Sequence, residues 1–139
     1  MKIDVFPHIL PKKYFDRLLA VAPPGLALQK RMSGIPVLVD LELRLTIMDR
    51  WDGYVQVLTL ANPPIEVVAP AAASPDLARL ANDEMAAIVA RHPDRFPGFV
   101  ASLPMNNPEA AVVEIYPHNP QEHGSGPKIH LGDKWRVLR

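Results

Sequence analysis

The amino-acid sequence predicts an α/β fold in which three strand–helix units build a parallel sheet. Short apolar runs typical of strands occupy residues 1–6, 54–60 and 99–103, and each is followed by a stretch with helical periodicity. Neighbouring parallel strands must be joined by a connection of roughly a dozen residues or more, and helices supply such connections. The chain is 139 residues long, the size of one domain.

The first unit begins with a short strand. Ile3 and Val5 form one face of this strand in the alternating pattern. The opposite face carries Asp4, Phe6 and His8, and the predicted strand ends at His8. A ligand-binding site at the end of this strand would therefore be formed by the side chains of this face.

An amphipathic helix follows from Pro11. Its predicted buried stripe has i, i+3, i+4, i+7 spacing and consists of Phe15, Leu18, Leu19 and Ala22. The sequence Pro23-Pro24-Gly25 ends this helix. Residues 26–39 have no clean period and are predicted to form an irregular insertion or a small hairpin.

Residues 40–51 admit two interpretations. Leucines alternate with polar residues along this segment, which taken alone indicates a strand. A helix also fits, because Asp40 is a good N-cap and Leu41, Leu45 and Met48 share a helical face. Periodicity alone does not decide between the two.

The second and third units follow the same rhythm. Residues 54–60 are a nearly continuous apolar run, typical of a strand buried on both faces. Ser74 as N-cap and Pro75 at the first helical position predict a long helix. A strand at residues 99–103 and a helix opened by Asn107 complete the pattern. Residues 1–115 are therefore predicted to form the folded part, and residues 116–139 an irregular, flexible tail.

The composition excludes several classes of protein. Fifteen basic and fifteen acidic side chains cancel, so nothing indicates binding to nucleic acid or to an anionic membrane. Cysteine is absent, so any metal would be bound by His, Asp or Glu. The most apolar stretch, residues 65–73, is far shorter than the roughly 20 residues that span a bilayer. No signal peptide is predicted, and a cytoplasmic protein is expected.

His8 is the candidate metal ligand. Side chains at positions i and i+2 of a strand lie on one face, about 6.6 Å apart, so two imidazoles there can bind one cation at about 2.0 to 2.1 Å. In this chain that spacing leads to Phe6, whose ring has no lone pair to donate. Asp4 is a weaker substitute on the same predicted face. The alternative is a partly exposed histidine that binds no metal.

Other candidate residues carry weaker signals. Asn62 follows the second strand, where barrels place substrate-binding loops, although turn formation before Pro63 explains it as well. Arg44 is predicted to be a solvated or ion-paired surface residue. A metal site in the tail is not expected, because its histidines share no helical or strand face; they are His118, His123 and His130.

A set of segments distributed along the chain carries a family resemblance. They are Met1-Lys2-Ile3-Asp4, His8-Ile9-Leu10-Pro11, Arg44-Leu45, Met48-Asp49, Val55-Gln56-Val57-Leu58, Asn62-Pro63-Pro64, Leu80-Ala81-Asn82-Asp83-Glu84, Arg91-His92-Pro93-Asp94-Arg95-Phe96 and Gly98-Phe99. In combination they resemble the amidohydrolase superfamily, in particular its branch related to aminocarboxymuconate-semialdehyde decarboxylase. The resemblance covers approximately residues 1–114, and no single motif carries it.

The resemblance implies a (β/α)₈ barrel with a divalent cation, zinc or manganese, at the carboxyl end of its strands. It implies metal-assisted decarboxylation, hydration or hydrolysis of a small carboxylated substrate. By position, His8 matches the second histidine of the family's metal pair. Phe6 stands where the first histidine, or a glutamate in some decarboxylases, is found. The resemblance also favours a helix for residues 40–51.

A complete barrel of this kind needs about 250 residues, so the chain is expected to be a truncated N-terminal part with about three βα units. One expected function is that of a metal-dependent carboxy-lyase or hydrolase, although the truncated chain would lack most of the active site. The alternative is a non-catalytic barrel fragment that associates with another chain. An exposed sheet edge makes a homo-oligomer possible. The tail resembles nothing in the family and is hypothesised to be out of frame or to come from an alternative junction.

Overall fold

A computed structural model describes residues 1–23, 30, 32 and 34–115, and the backbone of residues 128–131 and 134–137. The strands are β1 (Lys2–Asp4), β2 (His8–Ile9), β3 (Tyr54–Leu60), β4 (Gly98–Val100), β5 (Lys128–Leu131) and β6 (Lys134–Val137). The α-helices are α1 (Lys12–Val21), α2 (Leu41–Met48), α3 (Ile65–Val68), α4 (Ser74–Arg91) and α5 (Pro108–Ile115). A 3₁₀ turn occupies Pro36–Leu38.

The central strands are parallel. β1 and β2 both pair with β3, and β3 pairs with β4 on its other side. Helices α1 and α2 connect β2 to β3, and helices α3 and α4 connect β3 to β4. This is the predicted α/β fold, and the order of its elements is that of the first units of a (β/α)₈ barrel.

The tail was expected to be irregular, and most of that prediction lies outside the described residues. Within residues 116–139, the described backbone forms β5 and β6, which pair with each other in antiparallel fashion. β5 also pairs antiparallel with β4. This hairpin was not predicted from the sequence.

The first strand is interrupted by a bulge. The chain advances by four residues from Asp4 to His8, whereas the partner strand advances by three residues from Gln56 to Thr59. The extra residue reverses which face the following side chains occupy. Asp4 and His8 therefore lie on opposite faces of the sheet, and the prediction that they share a face is wrong.

The helices cover one face of the sheet. Leu58 and Phe99 are paired neighbours on this face, and each is at most 1% exposed. They pack with residues of α2, α4 and the turn after α4; these are Met48, Met85, Ile88, Val89 and Phe96. A second cluster joins α1, α3 and the first half of α4. These two clusters form the core that holds the parallel strands in place.

The other face of the sheet, here called the open face, has no helix packed on it in the described part of the chain. Ile3 and Val100 lie on this face and are 52% and 42% exposed. Val55 and Val57 are partly buried there. β3 was predicted to be buried on both faces, and it is buried on one. In a complete barrel this face would be turned toward the interior.

Helix α2 resolves the ambiguity over residues 40–51. The Asp40 side chain accepts a hydrogen bond from the Leu43 amide at 2.9 Å, as an N-cap does. Two details elsewhere differ from the predictions. Tyr14, outside the predicted stripe, is more deeply buried than Phe15. Ser74 lies inside the first turn of α4, where its hydroxyl donates to the Asn106 side chain instead of capping the helix.

Membrane insertion of the described helices can be judged from their length and composition. Among the described residues, no helix is both long enough and apolar enough to cross a bilayer.

Candidate functional site

The candidate site lies at the carboxyl end of the parallel strands, where β2 and β3 finish side by side. His8 and Thr59 are register partners there. The His8 Nδ1 atom is 3.1 Å from the Thr59 Oγ1 atom. The imidazole is partly buried, and the bulge places it on the open face of the sheet. In a barrel, side chains at this end of the strands form the active site.

The hydrogen bonds around Thr59 favour one tautomer of His8. A threonine hydroxyl has one proton, and Thr59 donates it to the Pro7 carbonyl at 3.2 Å. When that proton is directed to Pro7, the hydroxyl oxygen accepts from His8, and this arrangement favours the tautomer with its proton on Nδ1. Nε2 then carries the lone pair. A histidine that binds a metal is usually oriented in this way, with its other ring nitrogen donating to a neighbour.

Phe6 contacts His8 despite the bulge between β1 and β2. The two ring centroids are 4.5 Å apart in an edge-to-face arrangement. Phe6 is 74% exposed and contributes no lone pair. Position 6 is therefore close enough to His8 to hold a second ligand, but phenylalanine cannot act as one.

Asp4 does not serve as the substitute ligand. It lies on the helix-covered side of the sheet, on the face opposite His8. Its carboxylate accepts hydrogen bonds from the Tyr54 hydroxyl at 2.7 Å and from the Phe6 amide at 2.9 Å. The prediction of a possible Asp4 ligand is wrong, because the bulge changes its face and other donors occupy its oxygens.

The described residues supply one candidate metal ligand, His8, and do not complete a site. They contain no group of three or more His, Asp or Glu side chains that could hold an ion. His118 and His123 lie outside the described residues, as does the side chain of His130, so the prediction about the tail stays untested. Pairing of Nδ1 with Thr59 is compatible with a metal-binding role for His8, and its partner ligands would have to come from elsewhere.

A shallow cleft of about 240 Å³ lies at the carboxyl ends of β3 and β4. Asn62 and Glu66 line one side, and Ser102 and Met105 line the other. Asn62 is exposed, as a residue that meets a substrate must be. His8 does not line this cleft. A role for Asn62 in substrate binding stays a prediction.

Asn82 fixes the backbone on the far side of this cleft. This α4 side chain is 4% exposed. Its Oδ1 accepts from the Ser102 amide at 2.8 Å, and its Nδ2 donates to the Ser102 carbonyl at 2.9 Å and to Glu114 Oε1 at 2.7 Å. The buried Asn82 amide thus supplies hydrogen bonds to both backbone groups of Ser102, just after β4 ends. This role of Asn82 was not predicted from the sequence.

Arg44 is buried, which overturns the prediction of a surface residue. It is 4% exposed and lies on the same face of α2 as Met48. Its guanidinium donates to the backbone carbonyls of His8 and Val37 and to the side chain of Gln56. The sequence contained a signal: position 44 continues the helical stripe formed by residues 41, 45 and 48.

Comparison with known proteins gives relatives over part of the chain. No known family profile matches the sequence. The chain is 38% identical over 79 residues to gamma-resorcylate decarboxylase from Rhodococcus jostii strain RHA1, covering 56% of this chain and 24% of that protein. It is 39% identical over 72 residues to gamma-resorcylate decarboxylase from Polaromonas sp. strain JS666, covering 52% of this chain and 22% of that protein. The chain thus spans about a quarter of the length of these curated relatives.

Two solved structures resemble the fold. One is 2,6-dihydroxybenzoate decarboxylase from Rhizobium, with a TM-score of 0.59 and 30% identity, covering 81% of this chain and 33% of that one. The other is dihydroxybenzoic acid decarboxylase from Polaromonas sp. JS666 with bound manganese and the inhibitor 2-nitroresorcinol, with the same score, identity and coverage. These neighbours are (β/α)₈ barrels, so the predicted fold of a partial barrel is confirmed.

Proposed function

We propose that this chain is the N-terminal part of a metal-dependent carboxy-lyase of the amidohydrolase superfamily, and that His8 contributes one ligand to its metal centre. The observation that carries the proposal is the pairing of His8 Nδ1 with Thr59 Oγ1 at 3.1 Å. This pairing leaves the Nε2 lone pair for a cation, at the end of the sheet where barrels place their active sites. The more specific assignment, to the branch related to aminocarboxymuconate-semialdehyde decarboxylase, stays a prediction.

The proposed substrate is a small aromatic acid whose carboxylate is removed. Support comes from relatives named as decarboxylases of gamma-resorcylate and of 2,6-dihydroxybenzoate. A bound cation would polarise the substrate carboxylate or an adjacent oxygen. Asn62, exposed in the cleft after β3, is the residue of this segment proposed to contact the substrate.

The proposed cofactor is a divalent cation, either manganese or zinc. Manganese is supported by its presence in the Polaromonas decarboxylase. Zinc is supported by the imidazole donor, which suits it well. Because the described residues supply one ligand, full occupancy is proposed to require residues beyond this segment.

Placing a second donor beside His8 tests this proposal. The Phe6→His substitution is expected to raise the affinity of the chain for Zn²⁺ by about tenfold or more, corresponding to about 1.4 kcal/mol or more. The reason is that the two rings are already 4.5 Å apart, close enough for both to bind one cation. Isothermal titration calorimetry with Zn²⁺ alone would measure the gain.

Two controls separate a paired site from a merely added histidine. Trp51→His adds an exposed imidazole far from the carboxyl ends of the strands, and is expected to give no comparable gain. Adding His8→Ala to Phe6→His should abolish the gain. If the gain is absent, or survives the loss of His8, position 6 and His8 do not form a metal clamp and the proposal fails.

A second candidate function is a non-catalytic barrel segment that acts by binding another polypeptide. The observation that favours it is the exposure of the apolar strand residues Ile3 and Val100 on the open face. β1 also lies at an edge of the described sheet. Sedimentation analysis would distinguish this candidate, since a homo-oligomer is expected if the face or edge pairs two copies. A monomer at all concentrations would argue against self-association.

A further inference from the structure

The backbone carbonyl of His8 needs a donor that the sheet cannot supply. Along a strand, successive carbonyls point to opposite sides. The carbonyls of Pro7 and Ile9 accept from the amides of β3 and the residue after it, at 3.2 and 2.9 Å. The carbonyl of His8 therefore points away from β3. An unpaired buried carbonyl would destabilise this segment.

Arg44 supplies that donor from helix α2. One of its terminal nitrogens, Nη2, donates to the His8 carbonyl and also to the Val37 carbonyl at 3.1 Å. The other, Nη1, donates to Gln56 Oε1 at 2.8 Å. The planar guanidinium can reach three acceptors in one rigid arrangement, which a lysine ammonium does less well. Arg44 thus ties β2 to the 3₁₀ turn and to β3.

The chain of hydrogen bonds continues from Gln56 to Asp4. Because arginine only donates, the Gln56 oxygen must face Arg44, and its Nε2 donates to the Tyr54 hydroxyl at 3.0 Å. Tyr54 in turn donates to Asp4 Oδ2 at 2.7 Å. The other Asp4 oxygen accepts from the Phe6 amide. The same network therefore holds the backbone on both sides of Pro7, at Phe6 and at His8.

The pKa shifts of Arg44 and Tyr54 are consistent with a buried guanidinium whose charge is compensated by nearby groups. Burial lowers the pKa of Arg44, and the nearby Tyr54 and Asp4 groups oppose this change. Burial raises the pKa of Tyr54, and its hydrogen bond to Asp4 raises it further. Asp4 is the carboxylate that balances the charge of Arg44 through the intervening side chains, an arrangement that costs less than an uncompensated buried cation.

We propose that Arg44 is a positioning residue, which holds the His8 backbone so that the imidazole stays paired with Thr59 and presents Nε2. This inference rests on the proposed function for its significance, since that function makes Nε2 of His8 the metal-binding atom. Its physical content, the control of the His8 ring by Arg44, can be measured in the absence of metal.

The test follows the His8 tautomer by long-range ¹⁵N–¹H correlation spectra of the imidazole. The unsubstituted chain is expected to show the Nδ1–H form. Arg44→Met should lower the ratio of Nδ1–H to Nε2–H by at least about fivefold, the effect of losing one hydrogen bond. Arg44→Lys keeps the charge and should lower the ratio by at least about twofold, because an ammonium cannot bridge all three acceptors. The matched control is Arg95→Met, which removes a partly buried arginine paired with Asp49 and should leave the ratio unchanged.

The outcomes separate this inference from the proposed function. If the unsubstituted chain shows the Nε2–H form, the proposed role of His8 itself fails. If it shows Nδ1–H and a folded Arg44→Met or Arg44→Lys variant keeps the same ratio, only the positioning role is overturned. Should neither variant fold, the unsubstituted chain provides a second measurement. This is the NMR scalar coupling between Arg44 Nη2 and the His8 carbonyl carbon, transmitted through their hydrogen bond. Its presence supports the inference, and its absence overturns it.

Discussion

Replacing Phe96 with alanine is expected to lower the free energy of unfolding by about 3 to 5 kcal/mol. Phe96 is fully buried between α4 and the sheet, where it packs in the cluster that contains Leu58 and Phe99. Its ring also meets the His92 imidazole edge-to-face, with centroids 6.3 Å apart. Truncation would leave a cavity under the parallel strands. The loss is a large part of the roughly 5 to 15 kcal/mol that stabilises a typical domain.

The chain offers a matched control for this substitution. Phe6→Ala removes the same ring from a position that is 74% exposed, so its effect should stay within about 0.5 kcal/mol. Urea denaturation followed by circular dichroism would measure both. Similar losses for the two variants would contradict the described packing of the core.

Replacing Asn82 with aspartate is expected to cost about 3 to 5 kcal/mol at neutral pH. The change keeps the shape of the side chain but removes the donor that serves the Ser102 carbonyl and Glu114. It also places a buried carboxylate 2.7 Å from a carboxylate oxygen of Glu114. The backbone that lines the cleft after β4 should loosen, and its amides should exchange faster with solvent.

The stability of the Asn82→Asp variant is expected to depend on pH. When protonated, the introduced carboxyl can donate one hydrogen bond, and burial beside Glu114 favours the protonated form in the folded state. Relative to the unsubstituted chain, stability should therefore be partly recovered below the ordinary aspartate pKa of about 3.9 and lost as pH rises above it. Asp83→Asn, the reverse change at the exposed neighbouring position, should have little effect. Equal stability of Asn82→Asp and the unsubstituted chain at neutral pH would show that Asn82 does not hold the loop.

The sequence predicted the parallel units because the relevant signals are local. The apolar run of β3, the Asp40 cap of α2 and the periodic face of α4 each follow from residues close together in the chain. The choice between strand and helix for residues 40–51 was decided by the cap and by packing under the sheet. Alternation alone could not decide it, since leucine every second residue fits both periods.

The bulge before His8 could not be predicted from alternation. The bulge contains a hydrogen bond from the Phe6 amide to the Asp4 side chain, and only the register with the partner strand β3 reveals it. A one-residue change of register moves every later side chain to the other face. For this reason Asp4 was wrongly placed beside His8.

The burial of Arg44 and Tyr14 also could not be predicted from local sequence patterns. A charged residue is rarely buried without compensation, so a surface position was the reasonable expectation for Arg44. Two of its acceptors are backbone carbonyls. The His8 carbonyl is distant in sequence, and the Val37 carbonyl lies in the 3₁₀ turn, which had no clean period. The burial of Tyr14 depends on how α1 packs against α4, which the periodicity of α1 alone does not define.

The tautomer of His8 is the most direct test of the central claim, that this side chain presents Nε2 to a metal. The metal-free chain is expected to show the Nδ1–H form, and so is the Thr59→Ser variant, which keeps the hydroxyl. The Thr59→Val variant removes the accepting hydroxyl and is expected to shift the imidazole to the Nε2–H form. Long-range ¹⁵N–¹H correlation spectra of the three proteins would show this. An Nε2–H imidazole in the unsubstituted chain, or no change in Thr59→Val, would contradict it.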